Sequence, residues 1–140
     1  MVNVLVNKWA RKLPLPDNVW FQVQNPVGLT AQQSGPQPDM TWIAERNYAS
    51  RSGARDVFLL IEVSDSTLDY DRGEKAELYA SARIRDDWIV NIGDECVEVR
   101  RNPRRGRYTS LEVFRPGERV SPLAFPDLAL PVRLLFDKAR

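Results

Sequence analysis

The chain has 140 residues, enough for a core of its own, and we expect a single domain over residues 1–140. Its 20 basic and 19 acidic side chains leave a net charge of +1, which excludes a global preference for polyanions. The absence of histidine and the single cysteine, Cys96, exclude Ser-His-Asp and Cys-His catalysis, histidine-ligated zinc and an intramolecular disulfide. Any bound metal must therefore be held by oxygen ligands, which suit Mg²⁺, Mn²⁺ or Ca²⁺.

The sequence also bears on where the protein resides. It shows no signal peptide and no apolar run approaching the ~20 residues that a membrane-spanning helix needs. A single cysteine fits a reducing compartment. We therefore expect a cytoplasmic protein without a membrane partner.

The first half of the chain is predicted to form one helix followed by three strands. Apolar residues at helical spacing predict an amphipathic helix over residues 1–13, which two prolines end. Alternating segments predict strands at 19–24 and 39–45, separated by a polar loop. The clearest strand is Phe58–Ser64, which is an almost continuous apolar run.

The second half adds one helix, three strands and a short closing helix. The order of all these elements predicts an α/β domain with a mixed sheet. In chain order we expect a turn-rich link at 65–71, a helix from about 72 to 82, a strand at 86–92, a strand at 96–100, a loop at 101–107, a strand at 108–114 and a short helix from 130 to 139.

Glu62 is the exceptional residue of the central strand. Because side chains alternate along a strand, Glu62 should share one face with Phe58, Leu60 and Ser64. The opposite face should carry Val57, Leu59, Ile61 and Val63. A carboxylate among apolar side chains destabilises a fold unless it is paired, hydrogen-bonded or bound to a metal. The group that pairs with Glu62 is therefore expected to indicate the function.

Two residues are candidates for that role. Asp39 begins the preceding predicted strand, and two carboxylates at neighbouring strand ends fit a divalent cation between them; the alternative is a solvated strand-end acid. Lys75 leads the predicted inward stripe of the helix together with Tyr79; the alternative is an exposed pair with Asp71. An inward ammonium group could orient a water molecule or stabilise charge on a phosphate.

Pro38-Asp39, Ile61-Glu62-Val63 and a nearby lysine resemble the active-site signature of the PD-(D/E)XK nuclease superfamily. More closely, the chain resembles a large family of small bacterial restriction-endonuclease-like proteins within it. The resemblance implies a restriction-endonuclease-like mixed β-sheet flanked by helices. The stretches that carry it are residues 24–27, 36–39, 60–66, 70–75, 78–80, 88–90 and 123–127.

That resemblance also implies a site. Asp39, Glu62 and the backbone carbonyl of Val63 would hold Mg²⁺ (or Mn²⁺). The superfamily motif has its lysine two residues after the acid, where this chain has Ser64. The family variant takes its lysine from the following helix, and Lys75 matches it. The implied activity is metal-dependent endonucleolytic hydrolysis of DNA, with a homodimer if both strands of a duplex are cut.

Tyr79, one turn after Lys75, is expected to support the site with Ser64, as a core tyrosine rather than a catalytic one. Three features depart from the family pattern. The segment before the first strand is short, residues 1–16 contain no Asp or Glu, and Arg83 and Arg85 replace the usual Gly and Pro. Two alternatives therefore stay open: a non-catalytic nucleic-acid-binding or interaction protein that keeps the fold, or a truncated inactive family member.

A group of arginines suggests a nucleic-acid contact. Guanidinium groups suit phosphate oxygens, and we assign Arg101, Arg104 and Arg105 to this role. The alternative is a solvated hairpin tip that keeps sheet edges from pairing. The whole group surrounds Pro103 and Gly106 and comprises Arg100, Arg101, Arg104, Arg105 and Arg107.

Overall fold

The computed structural model describes residues 19–23, 40–44, 56–64 and 68–136, with the side chains of residues 20–23 and 68 excepted. The predicted N-terminal helix at residues 1–13 and the candidate ligand Asp39 lie outside these ranges. None of the helices in the described ranges is long and apolar enough to cross a membrane.

Six strands form one mixed sheet in chain order. All neighbouring strands are antiparallel except β3 and β4, which run parallel. The strands are β1 (Val19–Val23), β2 (Met40–Ala44), β3 (Val57–Ser64), β4 (Asp86–Asn91), β5 (Cys96–Arg104) and β6 (Arg107–Phe114). This arrangement confirms the predicted α/β class with a mixed sheet.

A helical crossover joins the two parallel strands, because parallel neighbours cannot be connected by a tight turn. It consists of α1 (Leu68–Tyr70), a π-helical segment (Asp71–Lys75) and α2 (Ala76–Ser81). The helix therefore begins four residues before the predicted start at 72. After the sheet, a two-stranded ribbon of β7 (Arg119–Val120) and β8 (Leu130–Pro131) leads into α3 (Arg133–Phe136).

The two faces of the sheet have different cores. One face is almost wholly apolar: Leu59, Ile61 and Trp88 pack there against the C-terminal segment that contains Leu130 and Leu135. The other face lies under α2 and has a smaller apolar cluster, made by Ile43, Val57, Leu60, Tyr79 and Ile84. Buried polar side chains occupy much of the remaining area under the helix.

A β-bulge breaks the predicted alternation at the start of β3. Trp42 pairs with Leu59 but Ile43 pairs with Val57, so Phe58 is an extra residue in the ladder. As a result Phe58 packs against the apolar face, where its ring lies edge-on to Phe125 at 5.1 Å. The predicted sharing of faces is therefore wrong for Val57 and Phe58. From Leu59 onwards it agrees with the structure.

The predicted loop at residues 101–107 is also wrong. Strands β5 and β6 continue through it, and only Arg105 and Gly106 form the turn, with φ of 51° and 77°. Both values are left-handed, as a two-residue hairpin turn of this kind requires. Arginine is unusual at the first of these positions, which explains why the turn was not recognised in the sequence.

Candidate functional site

Glu62 lies on β3 beneath the helical crossover, and its side chain is 2% exposed. Two groups from the crossover reach its carboxylate. The Tyr79 hydroxyl donates a hydrogen bond to Oε1 at 2.7 Å, and the Lys75 ammonium group donates one to Oε2 at 3.1 Å. The inward orientation that the helical periodicity predicts for both side chains is confirmed. The buried carboxylate is thus held by two donors from one helix face.

Lys75 is shared between two carboxylates. Its Nζ lies 3.1 Å from Glu62 Oε2 and 3.4 Å from Asp71 Oδ1, and its side chain is 15% exposed. Burial alone would lower the pKa of Lys75, but Glu62 and Asp71 together raise it above the ordinary value. Lys75 therefore carries its proton. It does pair with Asp71, but the pair is largely buried rather than exposed, so the inward orientation is the correct one.

The Tyr79 phenol keeps its proton and donates it in a hydrogen bond to Glu62. Burial, and secondarily the negative charge of Glu62, raise the pKa of the Tyr79 phenol far above its ordinary value. A phenol that keeps its proton cannot act as a base, but it can hold the carboxylate in one orientation. This geometry fits the expected supporting position.

The remaining predicted site residues are placed only in part. Ser64 is buried, and its hydroxyl makes no hydrogen bond within the described ranges. The side chain of Val63 is partly buried. Asp39 lies outside the described residues, so its approach to Glu62 stays a prediction. Among the described residues, no three Asp, Glu or Cys side chains form a group that could hold a metal ion.

Two further buried carboxyl groups lie near Glu62: Asp71, which was expected only in an exposed pair with Lys75, and Asp87, which was not a candidate. Asp71 is 2% exposed and contacts Lys75. Asp87 is 1% exposed and is the register partner of Leu60, so it shares the face of the sheet under the helix. Burial, with the nearby charge of Glu62, raises the pKa of Asp87 well above its usual range. Two acids opening an apolar strand were a signal that one of them must point inwards.

Glu98 is the centre of a second buried network on the same face. It is 3% exposed and accepts hydrogen bonds from Arg72, Asn91 and Arg100. Burial raises its pKa, but these donors outweigh burial and lower the pKa to about 2. Because Arg72 belongs to the π-helical segment, this network anchors the crossover to β4 and β5.

The arginines assigned to nucleic acid fall into two groups. Arg101 donates to Asp86 Oδ1 at 2.9 Å and to the Ser121 carbonyl at 2.7 Å, so its guanidinium group joins β4, β5 and the following segment. Arg104 and Arg105 are exposed, and neither forms an ion pair within the described part of the chain. Only the latter two retain a guanidinium group that is available to a ligand.

The fold resembles that of a solved nuclease-like structure. It superposes with a TM-score of 0.70 on a protein from Anabaena variabilis ATCC 29413 described as "a putative nuclease belonging to DUF820". The two sequences are 14% identical, and the match covers 96% of this chain and 78% of the other. At this identity the likeness shows the fold. A comparison with curated protein sequences finds no match.

The family follows from the sequence pattern. Residues 2–133 match the Uma2 family, whose description is "Putative restriction endonuclease". The match spans nearly the whole chain, so the chain belongs to this family. Membership confirms the resemblance to the restriction-endonuclease-like proteins and supports a nuclease-like function.

Proposed function

We propose that the protein is a divalent-metal-dependent endonuclease that hydrolyses phosphodiester bonds in DNA. The observation that supports this proposal most strongly is the buried Glu62 carboxylate with Lys75 and Tyr79 as its donors. A carboxylate, an ammonium group and a phenol lie together on one strand and one helix face. Burying them is unfavourable for stability, because each must be desolvated. In a family of nuclease-like proteins, the same groups are the components of a hydrolytic centre.

The donor set fits a hard cation. A carboxylate offers about four lone-pair sites, so one carboxylate can accept hydrogen bonds and bind a metal at the same time. Glu62, the backbone carbonyl of Val63 and Asp39 would hold Mg²⁺ or Mn²⁺ through oxygen atoms. Asp39 is bonded to Met40, whose register partner is Ile61, the residue before Glu62. The cation would supply an activated water and neutralise charge on the scissile phosphate.

Each residue then has a separate task. Glu62 holds its carboxylate in one orientation because Tyr79 and Lys75 bind different oxygens of it. The Lys75 ammonium group, already charged, stabilises negative charge that develops on the phosphate and orients the attacking water. Asp71, the second partner of Lys75, holds the lysine against the helix. Ser64 and Tyr79 support the site without taking a proton from the substrate.

Cleavage of supercoiled plasmid and of single-stranded DNA with Mg²⁺ or Mn²⁺ tests this proposal. We expect Glu62→Gln and Lys75→Met each to reduce the rate by roughly 100-fold or more, since each removes a charge at the reacting centre. The matched control is Glu112→Gln, because Glu112 is exposed on β6. Cleavage that survives both substitutions at the parental rate would exclude this mechanism.

A second candidate function is nucleic-acid binding without cleavage. It is favoured by the ion pair that Lys75 already forms with Glu62, which neutralises the carboxylate without a metal. Calorimetric titration with Mn²⁺ distinguishes the two. Saturable binding that Glu62→Gln abolishes supports the nuclease, whereas no binding at millimolar Mn²⁺ by the folded protein supports the second candidate. Duplex cleavage would in addition favour a homodimer, which size-exclusion chromatography tests.

A further inference from the structure

A groove lined by arginines lies at the far end of the crossover from Lys75. Its volume is about 600 Å³, and its walls include Arg83, Arg85, Arg104 and Arg105. Asn102, Pro103 and Leu123 complete the lining, which among the described residues contains no acidic side chain. The sequence suggests a nucleic-acid contact for Arg104 and Arg105, whereas Arg83 and Arg85 stand out in it only as departures from the family pattern.

The four guanidinium groups of this groove make no ion pair with the parts of the chain that the structure describes. All four side chains are exposed. By contrast, the buried carboxylates of Glu98 and Asp86 engage the neighbouring Arg72, Arg100 and Arg101. The groove therefore concentrates positive charge in a protein whose net charge is only +1.

Two contacts hold the walls of the groove together. The Tyr108 hydroxyl of β6 donates a hydrogen bond to the Ile84 carbonyl at 2.7 Å, between Arg83 and Arg85. The hairpin turn also lies against the end of α2, since a Cβ at Gly106 would come within 3.0 Å of Ser81 Oγ. The groove is thus formed in advance of any ligand.

The backbone at two of the arginines is unfavourable for that residue type. Arg83 follows α2 with φ of 65°, and its N–H bonds the Ala80 carbonyl while Ile84 N–H bonds the Tyr79 carbonyl. This is the helix-ending motif in which glycine is preferred. Arg105 has φ of 51° in a turn position that favours asparagine or glycine. Left-handed backbone conformations of residues other than glycine cluster at functional sites, where the side chain is needed despite the strain.

We infer that this groove binds the phosphate backbone of the nucleic acid at a distance from the proposed cleavage site. The choice of DNA as the polyanion rests on the proposed function. Lys75 precedes α2 and Arg83 lies two residues beyond its end at Ser81, a separation of eight residues that corresponds to roughly 12 Å at 1.5 Å per residue. That span equals about three to four base-pair steps of 3.4 Å. The groove holds phosphates a few nucleotides from the one beside Glu62, and so positions the strand.

The test uses variants that remove charge while relaxing the backbone. Arg83→Gly and Arg105→Asn put preferred residues at left-handed positions, so each should raise the melting temperature by about 2 °C. Fluorescence anisotropy with a labelled duplex in EDTA measures binding without cleavage. Each variant should weaken binding roughly eightfold at about 0.1 M salt, and the slope of log K against log salt should decrease by about 0.9 per lost contact.

Two kinds of control make the result specific. Arg119→Gln and Arg133→Gln remove exposed arginines outside the groove, and they should leave the affinity and the salt slope nearly unchanged. Glu95→Asn relaxes another left-handed residue, with φ of 51°, and should raise the melting temperature without weakening DNA binding. Together these controls distinguish the effect of losing charge in the groove from that of losing charge elsewhere and from that of relieving backbone strain.

The outcomes separate this inference from the proposed function. If the parent does not bind DNA, or the double variant Arg83→Gly with Arg105→Asn binds with the parental affinity and slope, the inference is wrong. Equal losses in the two outside controls would contradict it too. Groove-dependent binding without cleavage would support the inference and contradict the proposed function. Cleavage that proceeds equally well in the parent and in the double variant would support the proposed function and contradict the inference.

Discussion

Glu62, Lys75 and Tyr79 form a group in which each residue keeps the others in place. Glu62 accepts hydrogen bonds from the ammonium group of Lys75 and the phenol of Tyr79, all three being shielded from water. Removing one donor from a buried carboxylate costs more than an average hydrogen bond, because the desolvated charge stays behind. Substitutions here should therefore affect stability as well as activity, and the two effects must be measured separately.

Tyr79→Phe removes one of these donors without changing the shape of the core. We expect the free energy of unfolding to fall by about 1–3 kcal/mol, since a charged acceptor loses a buried partner. Urea unfolding measures this loss. The matched control is Tyr108→Phe, which removes one hydrogen bond to a backbone carbonyl, that of Ile84.

Mn²⁺ affinity distinguishes the two tyrosine variants. If Tyr79 orients a metal ligand, Tyr79→Phe should weaken Mn²⁺ binding several-fold while Tyr108→Phe leaves it unchanged. Equal Mn²⁺ affinity in both variants and the parent would show that Tyr79 contributes to the core alone.

Asp86 is another buried carboxylate, and we predict that its role is structural. Its carboxylate is completely buried and accepts hydrogen bonds from Trp88, Arg101 and the Leu123 amide. Asp86→Ala should lower the free energy of unfolding by about 3–5 kcal/mol, because it leaves the partly buried charge of Arg101 without its carboxylate and the Trp88 and Leu123 donors without their acceptor. Asp127→Ala, at an exposed position, should change it by less than about 0.5 kcal/mol in the same urea titration.

At the level of elements, the Glu98 network links the crossover to the sheet and should make stability depend on pH. The pKa of Glu98 is about 2 in the folded state, against an ordinary value of 4.5. A lowered folded pKa stabilises the protein above 4.5, and this contribution is lost as the pH falls towards 2. The loss amounts to roughly 3 kcal/mol if the unfolded value is the ordinary one.

Glu98→Gln tests this dependence. The variant should be less stable than the parent at neutral pH, and its urea midpoint should change less between pH 5 and pH 2. Glu118→Gln is the control, because Glu118 is exposed and its carboxylate accepts only a local backbone hydrogen bond in the described structure. A parent and a Glu98→Gln variant with parallel pH profiles would contradict the assignment.

Much of the element order was predictable from the sequence, because strands and helices follow hydrophobic periodicity. The exceptions have local causes. The bulge at Phe58 depends on how β2 pairs with β3, which periodicity along one strand does not contain. The hairpin at Arg105-Gly106 was missed because arginine rarely takes a left-handed turn position. The early helix start at Leu68 lies in a polar stretch that resembled a turn-rich link.

The site was predictable to a similar degree. Helical phase predicted that Lys75 points towards Glu62, and the structure confirms it. It could not predict that Asp71 would be buried nearby, since its neighbours come from other elements. Nor could it separate Arg101, which Asp86 engages, from Arg104 and Arg105, because pairing between distant residues depends on the tertiary fold.

At the scale of the whole molecule, the two faces of the sheet bury different kinds of side chain. The face against the C-terminal segment carries the larger apolar cluster. The face under the crossover carries Glu62, Asp87 and Glu98, each less than 4% exposed. Glu98 anchors the crossover, whereas the buried Glu62–Lys75 pair is better explained by function, since replacing a buried ion pair by apolar side chains is often neutral or stabilising. The arginine groove adjoins the same crossover, so a DNA strand held there, as we propose, would run towards Glu62.

A crystal structure of the protein with Mn²⁺, read through the anomalous signal of the metal, tests the central claim most directly. The account predicts one strong peak about 2.1 Å from oxygens of Glu62, Asp39 and the Val63 carbonyl. It also predicts that this peak disappears in Glu62→Gln crystals and persists in Glu112→Gln crystals. A fully occupied peak elsewhere, or no peak while Glu62 keeps its bonds to Lys75 and Tyr79, would contradict it.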